Sequence, residues 1–293
     1  MSIQELHHIH VTERHNAPET TLYVKVIATN TNSLTTKPYA FILPGGPGAN
    51  HSSYQDYECL QTSCNVVFHD PRGCGLSSKE DPRFCNMDTY VDDIDAIRQH
   101  LQLTHLYLVG KSYGAMCALA YIIHYPKFVA KLVLAAGAPS YRFIATAKAN
   151  FAARNTTRQQ QVLCEKLWRG GFNDDQELAD YLNVMAPHYS YKKRHGKPTN
   201  RAKPLYPHAH EPLNQGFSDF LNHFNFESRL HEIHCKTLIL AGYEDWITDK
   251  MYSEQMADAI PDSQLIIFQH ADHSMETDVP ELYFEAIQTF LAP

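Results

Sequence analysis

The chain has 293 residues, a formal net charge of −7, 44% hydrophobic residues and 19% charged residues. That composition supplies a large core and excludes a disordered chain, and an acidic balance in both halves speaks against a nucleic-acid-binding surface. No apolar run reaches the length of a membrane span, and the segment from Met1 to His8 lacks the basic-then-apolar pattern of an export signal. The seven cysteines, Cys59, Cys64, Cys74, Cys85, Cys117, Cys164 and Cys235, are dispersed and odd in number, which fits free thiols in a reducing cytoplasm. A zinc site from Cys59, Cys64 and nearby histidines is the weaker alternative, so neither a metal nor an organic cofactor is expected.

His7, His8 and His10 alternate in a strand lead-in and read as surface or edge-strand histidines. Thr21 to Thr29 alternates and is rich in branched residues, which predicts a strand with one exposed face. Tyr39 to Leu43 is a continuous apolar run ending at Pro44-Gly45-Gly46-Pro47-Gly48. Asn65 to His69 is another, ending at Asp70-Pro71-Arg72-Gly73. Tyr90, Ile94, Ile97 and Leu101 share one side of a helix predicted over Asp88 to Leu101. Leu106 to Val109 is a strand, a helix follows from Ala115 to Tyr125, and Lys131 to Ala135 is a further strand. Strands alternating with helices imply a mostly parallel sheet with helices on both faces, whose glycine-rich turns gather at the edge where ligands bind.

The rhythm changes at about Ser140. Phe151 to Gly170 and Asp174 to Ala186 read as helical, and His188 to His210 as irregular. An inserted helical cap over 140–231 is therefore expected, with the core formed by 1–139 and 232–293. The run Lys192-Lys193-Arg194-His195 reads as a solvated loop, with an anion site as the alternative. Strands return at Thr237 to Ala241 and Gln264 to Phe268, separated by a helix over Ser253 to Ile260. A helix from Pro280 to Leu291 closes the chain.

Gly110-Lys111-Ser112-Tyr113-Gly114 joins a strand to a helix. The Gly-x-Ser-x-Gly pattern in that context is a sharp turn that exposes a serine hydroxyl, with glycines where side chains would collide. A serine needs a base and an orienting carboxylate. Asp245 and His273 follow the last two strands, at the same sheet edge as Ser112. The order Ser112, Asp245, His273 is that of the α/β-hydrolase architecture. His270 competes with His273 as base, and Glu244 and Asp249 compete with Asp245. The N–H groups of Gly46 and Tyr113 are the candidate oxyanion donors. Lys111 either lines the pocket or snorkels out of it. Arg72 reads as a structural residue paired with a carboxylate.

Gly45-Gly46-Pro47-Gly48, Asp70-Pro71-Arg72-Gly73-Cys74-Gly75-Leu76-Ser77 and Gly110-Lys111-Ser112-Tyr113-Gly114 together resemble the signature of prolyl-iminopeptidase-like serine hydrolases. Pro44, Pro71 and Tyr113 stand where that family usually has histidine, glutamine and tryptophan. Trp246 stands where some relatives carry a glutamate that helps hold the substrate's free amine. The resemblance implies release of N-terminal proline or another small residue from short peptides, with Gly45, Trp246 and Glu244 near the substrate. An esterase or lactonase of the same fold is the close alternative, and a non-catalytic small-ligand receptor the distant one. The expected partner is a small-molecule or short-peptide substrate, with no nucleic acid and no membrane. The sequence does not set the oligomeric state.

Overall fold

The computed structural model describes residues 2–13 and 17–292. Eight strands form one sheet: β1 (Ile3–Val11), β2 (Thr20–Ala28), β3 (Tyr39–Leu43), β4 (Asn65–His69), β5 (Leu106–Lys111), β6 (Val129–Ala135), β7 (Lys236–Gly242) and β8 (Ser263–Phe268). Their spatial order is β1-β2-β4-β3-β5-β6-β7-β8. β1 and β2 run antiparallel to their neighbours, and β3 to β8 are all parallel. The fold class is the expected one, a mostly parallel α/β sheet. β3 to β7 read as largely apolar runs because both faces are covered, whereas β8 at the sheet edge exposes Gln264 and Ile266.

Between β2 and β6 lie α1 (Thr31–Thr36), α2 (Met87–His100) and α3 (Tyr113–His124). The insertion between β6 and β7 carries α4 (Phe143–Ala152), α5 (Arg158–Arg169), α6 (Asp175–Tyr189), α7 (Tyr191–Arg194) and α8 (His210–Ser218). α9 (Lys250–Ala259), α10 (Met275–Asp278) and α11 (Pro280–Leu291) complete the chain.

Alternate strand residues feed two cores, as the period of two requires. Phe41 and Leu43 join a core with α2, α3 and α9, while Ala40 and Ile42 join one with α11 and the 3-10 segment His51–Thr62. Phe143, Phe151, Leu167, Tyr181 and Phe217 from the insertion belong to the first core, so the cap is packed into the molecule.

Three local expectations change. β2 has no exposed face, because the segment His51–Thr62 lies over it and Lys25 pairs with Glu58 there. The helix read over Phe151 to Gly170 is two helices. Thr157 caps α5 in a capping box with Gln160, and Gly170 ends it in the left-handed conformation. The run Lys192-Lys193-Arg194, read as a solvated loop, is helical in α7, and half-buried Arg194 pairs with Asp272 and Glu244 of the core.

β1 alternates between half-buried and exposed residues, as an edge strand does, and its exposed positions include His8 and His10. Cys64, Cys74, Cys85, Cys117 and Cys164 are buried, and all seven cysteines are free. Among the described residues no cluster of three metal-binding side chains exists, and no helix is long and apolar enough to cross a membrane.

The turn after β4 is fixed by charge. Arg72 meets Asp93 of α2 through two bonds, Nε–Oδ2 at 2.9 Å and Nη2–Oδ1 at 2.7 Å, and both side chains are buried. Removing one partner leaves an uncompensated buried charge. Arg72→Ala is therefore expected to lower stability by about 3–5 kcal/mol in urea unfolding. A loss below about 1 kcal/mol would mean that the pair is solvated.

Candidate active site

β5 ends at Lys111 and α3 begins at Tyr113, so the whole reversal falls on Ser112. Its backbone has φ 57° and ψ −122°, a region that L-residues rarely occupy. The turn closes only because its flanks lack side chains. A Cβ on Gly110 would lie 2.4 Å from the Gly114 carbonyl oxygen, and one on Gly114 would lie 2.0 Å from the Leu43 carbonyl oxygen. The Ser112 N–H donates to the Ala135 carbonyl at 2.8 Å, tying the turn to β6. Unlike Lys111 and Tyr113 on either side, Ser112 is only half-buried.

β7 and β8 deliver the other two groups. His273 Nε2 lies 3.0 Å from Ser112 Oγ, and its Nδ1 lies 2.7 Å from Asp245 Oδ2. Asp245 Oδ1 accepts the N–H groups of Ile247 and Thr248 at 2.9 and 3.0 Å. The Thr248 hydroxyl lies 2.9 Å from Asp245 Oδ2. Burial alone would push the Asp245 carboxyl up. His273 beside it, with Lys111 and the Thr248 hydroxyl, outweighs that and holds it below the usual carboxylate range. An ionised Asp245 accepts Nδ1–H and leaves Nε2 free to accept the serine proton.

The competing residues lie elsewhere. His270 is exposed and lies against Tyr191, with ring centroids 5.2 Å apart and planes tilted by 46°. Asp249 caps α9 and accepts Asn150 Nδ2 at 2.9 Å. Glu244 is held by Arg194 at 2.5 Å.

The loop after β3 approaches the serine. Gly46 has φ 114°, a conformation that favours glycine. The Gly45 N–H donates to the Tyr54 hydroxyl at 2.7 Å. Among the described residues, the N–H groups of Gly46 and Tyr113 have no acceptor, which leaves two donors on the elbow and its facing loop.

A family model described as the alpha/beta hydrolase fold matches residues 41–275. The chain belongs to this family.

Among the relatives of this α/β hydrolase is the proline iminopeptidase PfmaB of Pestalotiopsis fici. The two are 29% identical over 261 residues, which cover 87% of this chain and 92% of that one. The proline iminopeptidase of Levilactobacillus brevis is 26% identical over 261 residues, covering 86% and 87%. The crystal structure of the Mycobacterium smegmatis proline iminopeptidase superposes with a TM-score of 0.70, covering 98% of this chain and 97% of that one at 18% identity, which speaks to the fold. The resemblance to proline iminopeptidases drawn from the motifs is thus one of ancestry as well as pattern.

Aromatic rings of the cap crowd His273. Tyr189 meets His273 edge-on at 5.8 Å and Trp246 at 5.8 Å, and Phe151 lies 4.9 Å from Trp246. Trp246 itself is buried. Thr248 escaped the sequence reading, although an Asp three residues before a Thr is turn chemistry that could have marked it. Arg154, Arg201, Asp272 and Glu276 also escaped it, and no local spacing announces them; Arg194 was singled out only within a basic run, where pairing with an anion was the alternative to a solvated loop.

The strain at Ser112 is testable without reference to any substrate. Ser112→Gly and Ser112→Ala both lack the hydroxyl, but only glycine tolerates this backbone. The glycine variant is expected to be more stable by about 1 kcal/mol, reversing the usual order of the two residues. Urea midpoints read the difference, and an alanine variant of equal or greater stability would contradict it.

Proposed function

We propose that the protein is a serine hydrolase acting by acyl transfer. Ser112 attacks a carbonyl carbon, and His273 takes the serine proton and returns it to the leaving group. Asp245 holds the imidazole in the required tautomer. The N–H groups of Gly46 and Tyr113 receive the oxyanion. Water then clears the acyl-enzyme, with no metal or organic cofactor taking part. The observation that carries this reading is the unbroken path from Ser112 Oγ through both imidazole nitrogens to a buried carboxylate. The free cysteines favour work in a reducing compartment such as the cytoplasm.

The named relatives support an aminopeptidase that releases N-terminal proline or another small residue from short peptides. Gly45 would lie against the substrate beside the nucleophile, and a helical lid of this kind admits short substrates and excludes folded proteins. One observation favours a second reading, a carboxylesterase or lactonase. A free amine needs a carboxylate partner, yet Glu244 is already engaged by Arg194, and Trp246 offers no charge. An ammonium would have to displace that guanidinium.

Turnover of proline and alanine arylamides, unblocked and N-blocked, should be compared with that of short p-nitrophenyl esters and lactones. Preference for unblocked arylamides supports the aminopeptidase, and activity on esters alone supports the second reading. Ser112→Ala is expected to lower kcat on any of them by about a thousandfold or more. A Ser112→Ala protein as active as the parent would refute the role of Ser112.

A further inference from the structure

Lys111 precedes the nucleophile and is buried, so it does not snorkel outward. Its Nζ donates to the main-chain carbonyl of His273 at 2.6 Å. The N–H of the same histidine donates to Asp272 Oδ1 at 2.9 Å. Both backbone polar groups of His273 are therefore held by charged side chains, while its ring is shared between Ser112 and Asp245.

Each of those side chains leads to the cap. Asp272 meets Arg154 Nη2 at 2.9 Å and also contacts Arg194. Lys111 Nζ lies 4.0 Å from Glu276 Oε2, and the other oxygen of Glu276 accepts Arg201 Nη1 at 2.6 Å. Arg201 also donates to the Ser53 carbonyl, beside the loop that follows β3. Asp278, two residues beyond Glu276, accepts Ser190 Oγ at 2.5 Å and the Tyr191 N–H at 2.8 Å.

An ammonium buried at this position is costly, and an aliphatic side chain of similar length would fill the space without that cost. Burial pushes the Lys111 amine down, and Glu276 and Asp245 oppose the shift. The charged groups facing this cluster are Asp56 from the segment His51–Thr62, Glu244 and Asp245 from the loop after β7, Asp272, Glu276 and Asp278 from the His273 loop, and Arg154, Arg194 and Arg201 from the cap. The Tyr54 and Tyr57 hydroxyls also face Arg201.

We propose that Lys111 is a positioning residue: its bond to the His273 carbonyl keeps the base in reach of Ser112, and Glu276 with Arg201 of the cap supplies the counter-charge that holds it there. Cap seating and base placement are then one event. This rests on Ser112 and His273 being the nucleophile and base.

The test compares Lys111→Met, Glu276→Gln, the double variant and Ser112→Ala in the full chain, on p-nitrophenyl acetate and proline p-nitroanilide. Lys111→Met is expected to lower kcat about 10- to 100-fold while KM stays within about threefold. The charges also give opposite signs. A cation near the imidazole opposes its protonation, so losing Lys111 should move the acid limb of kcat/KM up by about 0.5–1 pH unit. Losing Glu276 should move it down by a similar amount. The split signs report the two charges beside the imidazole, and the fall in kcat at an unchanged KM reports placement of the base. If Lys111→Met fails to fold, the double variant removes both charges and its kcat is expected to fall in the same range. Lys111→Met or, failing that, the double variant at the parental rate, or acid limbs that do not diverge, would overturn the proposal while Ser112→Ala is inactive. An active Ser112→Ala would instead overturn the catalytic reading and this proposal with it.

Discussion

A carboxylate kept ionised where no water reaches it is the constraint on which the site depends. Asp245 is buried, and its charge persists because two backbone N–H groups, a threonine hydroxyl and an imidazole converge on it. Remove those donors and the carboxyl would neutralise, since burial favours the uncharged form. Once it is charged, the tautomer of His273 follows, and with it the direction in which a proton can leave Ser112. The three groups come from loops after β5, β7 and β8, so the sheet brings them together even though 161 residues separate the serine from the histidine.

Ser112 places the opposite demand on the chain. Its hydroxyl must leave the core, and the backbone turns through a conformation that costs stability to let it. Gly110 and Gly114 make room for that turn, and the Ala135 carbonyl anchors it. Strain on one side and buried charge on the other are both held by the packed sheet beneath. The cap adds a third fixture, because its arginines end on Asp272 and Glu276, the carboxylates that flank His273. Lid and base loop are thus joined by charge as well as by apolar contact.

Much of this was legible in the sequence. The parallel strands announce themselves as apolar runs that stop at glycine-rich turns, and the order of serine, aspartate and histidine across those turns is a property of the chain. Arg72 could be read as a structural cation from its place in a turn, though not its partner Asp93. The single exposed face expected of β2 was not found, because nothing in Thr21 to Thr29 reveals that His51–Thr62 folds back over it. The break between α4 and α5 was hidden by helical spacing on both sides, although Thr157 and Gln160 carry the capping signal. The arginine network was invisible for a more general reason. Ion pairs across 50 to 118 residues leave no local periodicity, and Arg194 in a basic run looks like any solvated charge.

Covalent labelling by an alkyl fluorophosphonate, located by peptide mass spectrometry, tests the central claim most directly. One adduct per chain is expected, on the hydroxyl of Ser112, formed rapidly in the parent and at least about a hundredfold more slowly in His273→Ala. An unlabelled chain, or an adduct on another residue, would contradict the assignment of Ser112 and His273.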